Sequence, residues 1–212
     1  MADRVISVQG KGTATAEPDL VRLSFQINTL QMEYETAVTQ LNERVDQLRR
    51  DVAEVGIDPK DLKTTSFDIS PKQHWSSEEE EYLFLGFEAE HDLHLEMPLE
   101  QDQLNRTLMQ LAQSASGATF SIYFAVKDQD ILRKQVLADA VVKAKENAQT
   151  LAQSAGVQLG EILRIDYGWT EVRFEERVMS YDAAEMPCAP MPDIEPAEMT
   201  ASDNVTVVWK II

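Results

Sequence analysis

Acidic side chains recur along residues 86–97, and they are the groups in this sequence that could bind a cation or transfer a proton. Glu88, Glu90, Asp92 and Glu96 alternate with apolar residues. On a β-strand, alternate residues share one face and lie about 6.5–7 Å apart. That spacing suits an acid/base pair or an oxygen-liganded Ca²⁺. The solvated face of an antiparallel strand shows the same pattern, so three interpretations remain open: a wet face, a cation or basic partner, and catalysis.

Two histidines in the same stretch, His91 and His94, form an HxxH pattern. On a helix this spacing could hold one metal ion, but on a strand an odd separation sends the side chains to opposite faces. We therefore predict that they share no metal. His91 is expected to pack on the apolar face, and His94 to interact with neighbouring acids.

The remaining candidate motifs lack the context that their chemistry needs. The glycines of Gly10-Lys11-Gly12 lead into a second strand-like stretch and not into a helix, which predicts a hairpin or bulge and argues against a dinucleotide loop. No serine lies in a nucleophile elbow. Sulfur atoms between Met186 and Met191 could hold Cu(I), although packing over a neighbouring subunit is the expectation we prefer. We predict no catalytic, cofactor-binding or metal residues, with Glu88, Glu90, Asp92 and Glu96 as the remaining cation candidates.

Composition excludes several classes of partner. The 212-residue chain has a formal net charge of −18, which disfavours binding to nucleic acids and anionic membranes. Cys188 is the single cysteine, so no intrachain disulfide can form. No stretch approaches the roughly 20 apolar residues of a membrane span. The start of the chain lacks a signal-peptide core, which predicts a cytoplasmic protein as written, or an exported, periplasmic one if a leader has been removed.

The element predicted to organise the fold is a long alanine-rich helix over Asp130–Gly156. Apolar residues recur in it at intervals of three and four, with Asp128 or Asp130 as N-cap and Gly156 as left-handed C-cap. Small side chains let a helix approach its partner closely, and we expect that partner to be a sheet. The predicted buried stripe consists of Leu137, Ala140, Val141, Ala144, Ala148, Leu151, Ala152 and Ala155.

The other periodic stretches predict two shorter helices and several strands. The helices are Tyr34–Val55 and Gln101–Ala115, and the strands are Leu20–Thr29, Leu62–Ser70 (closed by Pro71), Gly86–Met97, Thr119–Val126, Glu161–Trp169 and Val205–Ile212, with a loop at Lys72–Tyr82. A strand–helix–strand order occurs at 20–70 and again at 86–126. The prediction is a single α+β domain over 1–212, with a mainly antiparallel β-sheet, helices packed on one face and an irregular acidic Pro/Met-rich loop at 171–203.

The order of these pieces resembles the SIMPL domain family, including its bacterial proteins of the periplasmic immunogenic type. The resemblance rests on Val5–Gly12 followed by Glu17-Pro18-Asp19, on Gly56-Ile57 with Asp61–Thr64, on Gly86–Ala89, on the helix from Ala138 to Gly156 with Leu159–Ile162, and on Val205–Ile212. It covers nearly the whole chain. It implies an α+β domain without an assigned molecular role. It also implies bacterial relatives that are mostly exported and linked to stress tolerance, and an animal relative that is a signalling adaptor. The family has no catalytic residues to carry over.

From these observations we expect a soluble, non-enzymatic, self-assembling scaffold or stress-associated binding protein. A homo-oligomer is predicted because the strand VTVVWKII and the Met-rich loop supply apolar material in a very acidic chain. The alternative is a cation- or small-ligand-binding protein that uses the acidic strand face, and a carboxylate hydrolase is a third possibility.

Overall fold

A computed structural model describes residues 4–77, 80–168, 173–174, 178–181 and 196–212. The elements in chain order are β1 (Val5–Ala16), β2 (Leu20–Gln31), α1 (Tyr34–Glu54), a 3₁₀ turn (Pro59–Asp61), β3 (Lys63–Ser76), β4 (Glu81–Pro98), α2 (Gln101–Ala112), β5 (Thr119–Ala125), α3 (Gln129–Ser154), β6 (Leu159–Asp166), β7 (Arg173–Phe174), β8 (Val178–Tyr181) and β9 (Met199–Ile211). They form two compact units. The predicted α+β class with mainly antiparallel sheets is confirmed.

The first unit is a sheet in the order β1-β9-β6, with β7 also paired to β9 and α3 packed on the sheet. The strand β9 is antiparallel to both of its neighbours, as expected for a closing strand paired on each side. Its side chains Val205, Val207 and Trp209 are buried against the alanines of α3. The apolar residues of the closing strand are therefore buried inside this unit.

Two glycines in β1 set the distance between strand and helix. A Cβ atom added to Gly10 would lie 2.0 Å from the carbonyl oxygen of Ala140, and one on Gly12 would lie 1.9 Å from that of Val136. Both distances are shorter than any real contact, so only glycine fits at these positions. The predicted hairpin or bulge at Gly10–Gly12 is wrong, because β1 runs unbroken from Val5 to Ala16. These glycines create room for a helix and do not turn the chain.

The buried row of α3 is narrower than predicted. Its buried residues repeat strictly every four positions, whereas Val141, Leu151 and Ala155 are exposed and Leu137 is half-buried. A helix that touches its sheet so closely through small side chains makes a thin line of contact, so the flanking apolar residues remain in solvent. The full buried row is Leu132, Val136, Ala140, Ala144, Ala148 and Ala152.

The helix also protects the free edge of β1. The backbone N–H of Thr13 donates to the Asp139 carboxylate at 2.8 Å, and the Lys143 ammonium lies 2.6 Å from the same oxygen. These two hydrogen bonds, first that of Lys143 and then that of Thr13, lower the pKa of Asp139. Because an unpaired strand edge invites association with other strands, this contact blunts one such edge.

The second unit is a five-stranded sheet in the order β3-β4-β2-β5-β8, on which α1 and α2 pack. Alternate residues of β2 and β4 face the helices and are buried, as their alternation predicted. The buried side chains of this core include Val21, Leu23, Phe25, Ile27, Leu41, Leu48, Leu93, Leu95, Leu104 and Leu108. The strand–helix–strand orders β2-α1-β3 and β4-α2-β5 both occur in this unit.

The predicted loop at Lys72–Tyr82 is wrong, because β3 and β4 form a long hairpin there. Strand β3 continues through Pro71 to Ser76, and its register with β4 shifts between Lys72 and Gln73. Proline lacks the N–H that a central strand must donate, but β3 lies at the edge of its sheet and tolerates it. Of the acidic run, Glu80 lies in the turn and Glu81 begins β4, and residues 78 and 79 lie outside the described residues.

Element ends differ from prediction at two further places. Strand β9 begins at Met199, so 199–203 belong to a strand and not to the predicted loop. Contacts with distant residues stabilise this longer strand. Asp203, for example, is buried and accepts a hydrogen bond from the Tyr167 hydroxyl at 3.1 Å. Helix α2 ends at Ala112, which leaves Ala115 exposed. Most of the predicted loop at 171–203 lies outside the described residues, and its irregularity and the single domain over 1–212 stay predictions.

We expect Gly12→Ala to lower the free energy of unfolding of the first unit by about 3 kcal/mol or more, the upper end of overpacking costs. The added methyl group would collide with backbone of α3 and not with a movable side chain. Urea unfolding followed by circular dichroism and tryptophan fluorescence measures the loss. Gly168→Ala is the control, because a Cβ there meets no atom within 4 Å. An unchanged urea midpoint for Gly12→Ala would contradict the close approach.

Candidate functional site

The acidic residues predicted as cation candidates lie on the face of β4 that points away from α1 and α2. Apart from Leu30, their cross-strand partners on β2 and β3 are polar, so this is a wet face of the second sheet. In register, Glu96 faces Arg22, Asp92 faces Gln26 and Ser66, Glu90 faces Asn28 and Asp68, and Glu88 faces Leu30 and Ser70.

Two of the four carboxylates are neutralised by cations. One oxygen of Glu96 accepts hydrogen bonds from Arg22 Nη2 at 2.7 Å and Nε at 2.9 Å. Glu88 forms an ion pair with Lys72. The Arg22–Glu96 side chains are each about two-fifths exposed, so the pair contributes roughly 0–1 kcal/mol to stability. These contacts spread the charge of the row and leave Glu90 and Asp92 as the carboxylates without a basic partner in the described part of the chain.

Asp92 is the unusual member of the row. Its Oδ1 atom is buried and has no hydrogen-bond partner among the described residues. However, no group of three or more His, Cys, Asp or Glu side chains within the described ranges is arranged to hold a metal ion. The face brings the predicted carboxylates into one row but does not converge them on one point.

The two histidines lie on opposite faces of β4, as predicted. His94 lies on the wet face, where its Nδ1 atom is 3.0 Å from the Thr65 hydroxyl. His91 is buried on the helix side, with Nε2 at 2.8 Å from the Thr64 hydroxyl and Nδ1 without a hydrogen-bond partner in the described structure. Its ring contacts the edge of Phe67 at a centroid distance of 5.4 Å. The pair therefore cannot share an ion.

The environment of His91 favours its neutral form. Burial is the largest effect that lowers its pKa, and the positive charge of Arg49 lowers it further. The carboxylate of Asp92 opposes both by raising it. His91 is consequently a packed histidine that resists protonation.

A buried polar chain in the second unit is absent from the sequence-based predictions. Asp51, 3% exposed on α1, accepts hydrogen bonds from the Ser114 hydroxyl and from Gln47 Nε2, the latter at 2.9 Å. The Ser114 and Ser116 hydroxyl oxygens are 2.7 Å apart. An Asp–Ser contact could suggest a nucleophilic serine, but a nucleophile also needs a base that takes its proton. Here the Asp51 carboxylate only accepts hydrogen bonds. Its contact with Ser114 connects α1 to the segment that follows α2.

The second unit exposes a group of aromatic rings, which we call the aromatic face. It consists of Tyr34, Trp75, Tyr82, Phe84 and Phe87. Apart from the partly buried Phe87, these side chains are 51%, 47%, 67% and 42% exposed in that order. They belong to the β3–β4 hairpin and to the start of α1.

Direct ring contacts hold the aromatic face together. Phe87 packs against Tyr34 at 5.7 Å and against Phe84 at 5.3 Å between centroids, and Trp75 packs against Tyr82 at 5.1 Å, all edge-to-face. Cross-strand pairing places Trp75 opposite Tyr82, and Tyr82 and Phe84 share one face of β4. Such pairs contribute about 0.5–1.5 kcal/mol each beyond their buried area. The rings therefore form two contacting groups, Tyr34–Phe87–Phe84 and Trp75–Tyr82, and Tyr82 and Phe84 place both groups on one face of the hairpin.

Gly86 positions the aromatic face on the rest of the unit. Its φ of +131° is a region that side chains rarely adopt, and an added Cβ would lie 2.5 Å from the carbonyl oxygen of Gln31. The close approach lets β4 pass the end of β2 while the register shifts at Lys72/Gln73. The alternation of Tyr82 and Phe84 was visible in the sequence, but Pro71 and the run of glutamates hid the hairpin that carries these rings and Trp75.

The predicted sulfur ligands from Met186 to Met191, including Cys188, lie outside the described residues. Within the described ranges, no helix has both the length and the apolar character required to cross a membrane.

Comparison with known proteins places this fold in context. Residues 6–209 match the model of the SIMPL family, whose description is "Protein of unknown function (DUF541)". The chain is 24% identical over 179 residues to the uncharacterized protein YggE of Edwardsiella ictaluri, covering 84% of this chain and 74% of that protein. It is 25% identical over 177 residues to the 26 kDa periplasmic immunogenic protein of Brucella abortus, covering 76% and 65%. The resemblance seen in the sequence is thereby confirmed.

We expect His91→Gln to flatten the pH dependence of stability. Because the pKa of His91 is lowered from 6.5 in the native state, the unfolded chain binds the proton first as the pH falls. The stabilisation is therefore complete above the unfolded pKa and is lost as the pH drops below about 6.5. Urea unfolding at a series of pH values from neutral to mildly acidic measures the slope.

His94→Gln is the matched control, since it removes the other histidine of β4, which lies on the wet face. Equal slopes for the wild-type protein and His91→Gln would show that His91 does not resist protonation in the native state.

Proposed function

This chain belongs to the SIMPL family, and from that premise we propose that it is a non-enzymatic, self-assembling scaffold or stress-associated binding protein whose copies associate through the aromatic face. The exposure of four ordered aromatic rings on the hairpin is the observation that carries the proposal. The association with stress comes from the resemblance to the family. The compartment we propose is the cytoplasm, with export as the alternative because one relative is named a periplasmic protein.

The size of the aromatic face supports an interaction. An aromatic side chain offers about 150–250 Å² of surface, so four half-exposed rings present on the order of 400 Å². Met32 and Leu85 are also more than two-fifths exposed near this hairpin. Contiguous apolar patches of more than a few hundred Å² mark interaction sites in soluble proteins. The surface is large enough for one side of a small interface.

Strand β3 is less acidic than the chain as a whole. The whole chain carries −18, so most contacts between two copies bring like charges together. Strand β3 contains Lys63 and Lys72 against Asp68, which is 2 − 1 = +1 with His74 neutral. Strand β3 by itself therefore adds no net negative charge to such a contact.

The closing strand, which motivated the prediction of self-association, does not support it. VTVVWKII is paired on both sides and buried against α3. The proposed contact therefore moves from β9 to the β3–β4 hairpin.

The proposal that the protein is not an enzyme is supported by the contacts of its acidic side chains. Glu88 and Glu96 are held by Lys72 and Arg22, and the buried Asp51–Ser114 contact includes no histidine. Substrate chemistry needs ionisable groups that converge on one reacting atom. A hydrolase that uses the carboxylate row remains the third candidate, and no contact described above favours it.

We expect the wild-type protein to have a mass in solution that is a multiple of 23.9 kDa at micromolar concentration. The double variant Trp75→Ser, Phe84→Ser should shift toward the monomer, because it removes two exposed rings of the aromatic face. Light scattering coupled to size-exclusion chromatography measures both masses.

The matched control is Ile131→Ser with Val142→Ser, which removes exposed apolar side chains from α3 and should leave the mass unchanged. A wild-type protein that is monomeric across the micromolar range would refute the proposal.

The second candidate, a cation bound by the acidic strand, is favoured by one atom, the partnerless Oδ1 of Asp92. With Glu90 and Asp68 near it in register, two or three oxygens could contact Ca²⁺, fewer than the six to eight that the ion takes. We therefore expect calcium titration to release no heat and to leave the melting temperature unchanged. A melting shift that is lost in Asp92→Asn and kept in Glu100→Gln would reverse the ranking.

A further inference from the structure

Strand β6 is an unprotected edge of the first sheet. The opposite edge, β1, is blunted by the hydrogen bond from Thr13 to Asp139, whereas no strand in the described part of the chain pairs with the outer side of β6. Residues Glu161–Asp166 of β6 are all exposed. Such an edge presents backbone N–H and C=O groups with which a further strand can pair.

Two bulges in β6 turn three apolar side chains toward the helix side of the sheet. Leu159, Ile162 and Ile165 are three positions apart, and in an unbroken strand such residues alternate between the two faces. Their partners on β9 are only two positions apart, so all three side chains share one face. The register shifts of β6, one on each side of Ile162, cause this change. The pairs are Leu159–Ile211, Ile162–Trp209 and Ile165–Val207.

Packing within one copy does not use this arrangement. Trp209 and Val207 are buried against α3, but Ile162 and Ile165, which lie beside them on the same face, are about half exposed. The reason is that α3 contacts mainly β1 and β9. Within one copy the bulges therefore turn apolar side chains toward solvent, and a second molecule is needed to bury them.

We propose that β6 pairs antiparallel with β6 of a second copy, with a twofold axis at Ile162, so that the two sheets continue as one. This inference deepens the proposed self-assembly by naming a second contact between copies. It shares no residue with the aromatic face, so the two contacts can be tested separately.

The symmetry of β6 selects a second copy as its partner. In a twofold contact the same residues meet in both directions. With Ile162 facing itself, Leu159 of each copy faces Ile165 of the other, and the apolar side chains meet on one face. The bulged pairs 160–161 and 163–164 then face each other. Bulges normally blunt an edge because a regular strand cannot stay in step with them, but a second β6 carries the same two and stays in step.

Charge favours this register over its neighbours. In it Arg164 faces Gly160 of the second copy and lies next to Glu161, so opposite charges are neighbours twice by symmetry. An axis at residue 161 would place Glu161 opposite itself, and an axis at residue 163 would place Ile162 opposite Arg164. Like charges directly opposite each other destabilise a strand pair.

Cysteine cross-linking tests the position of the axis. Ile162→Cys is made together with Cys188→Ser, so that the chain holds a single thiol. Directly facing residues of antiparallel strands have Cα atoms about 4.5–5.5 Å apart, which is within the range of a disulfide. We expect mild oxidation with copper phenanthroline at micromolar protein concentration to convert most of this variant to a covalent dimer on a non-reducing gel.

Leu163→Cys with Cys188→Ser is the matched control, because Leu163 is exposed to a similar degree but faces Glu161 of the second copy. The two copies of residue 163 are separated by two residues along the strand and by one strand spacing, about 8 Å in all. This exceeds the roughly 7 Å limit of a disulfide, so we expect about tenfold less dimer. A yield from Leu163→Cys that equals or exceeds that of Ile162→Cys, or no dimer from either, overturns the pairing.

The aromatic face is varied in parallel to separate this inference from the proposed function. Adding Trp75→Ser and Phe84→Ser should leave the cross-linking of Ile162→Cys unchanged. If these two substitutions lower the mass in solution while Ile162→Cys does not cross-link, the β6 pairing is overturned and the proposed function stands. If Ile162→Cys cross-links selectively while they leave the mass unchanged, the pairing stands and the aromatic face is not the contact.

Unfolding of a variant is excluded by its melting temperature under reducing conditions, which should match that of the wild type because Ile162 is about half exposed. Should Ile162→Cys melt early, an equimolar mixture of Leu159→Cys and Ile165→Cys, each with Cys188→Ser, replaces it. These two residues face each other across the axis, so the dimer should form in the mixture and not in either variant alone. No dimer in the mixture, or as much dimer in one variant alone, overturns the pairing.

Discussion

The absence of two Cβ atoms in β1 is the constraint on which the first unit depends. Gly10 and Gly12 let the backbone of α3 approach the strand to distances that no other residue would permit. The alanines at every fourth position of α3 then meet the sheet directly, and Val205, Val207 and Trp209 fill the space beside them. Large side chains supply the core of the second unit, whereas small ones supply the packing of the first. A close fit of backbone to backbone loses little side-chain entropy, but it tolerates no added volume.

Local patterns were sufficient to predict much of the fold. The alternation of β2 and β4 and the periodicity of α1 identified the core of the second unit, because both elements bury one regular face. Asp128 caps α3 and Gly156 has a left-handed φ of +70°, as expected from their residue types. The predictions failed where the structural role of a residue depends on a neighbour that is distant in sequence. Gly10 and Gly12 resemble a turn, Pro71 resembles a strand end, and Val141 resembles a core residue until the strand order and the width of the helix contact are known.

The candidate site was also predictable where local spacing determines it and unpredictable where distant partners do. Sequence spacing placed Glu88, Glu90, Asp92 and Glu96 in one row and separated His91 from His94, because strand alternation determines both. It could not show that Lys72 and Arg22 neutralise the ends of that row, since those partners come from other strands. The aromatic face was harder to find, because Tyr34 reaches it from a helix that is 41 residues before Trp75 in sequence. The pairing of β3 with β4 and the packing of Tyr34 against Phe87 bring these rings together.

Pro71 and the lysines of β3 have a consequence for how copies of this chain could meet. A strand edge interrupted by proline and lined by Lys63 and Lys72 is a poor template for a further strand. A contact between copies at this hairpin would therefore be made by side chains and would lack the continuous backbone ladder of cross-β fibres. An assembly built in this way would dissociate on dilution and exchange its subunits, and its growth would not propagate from a seed.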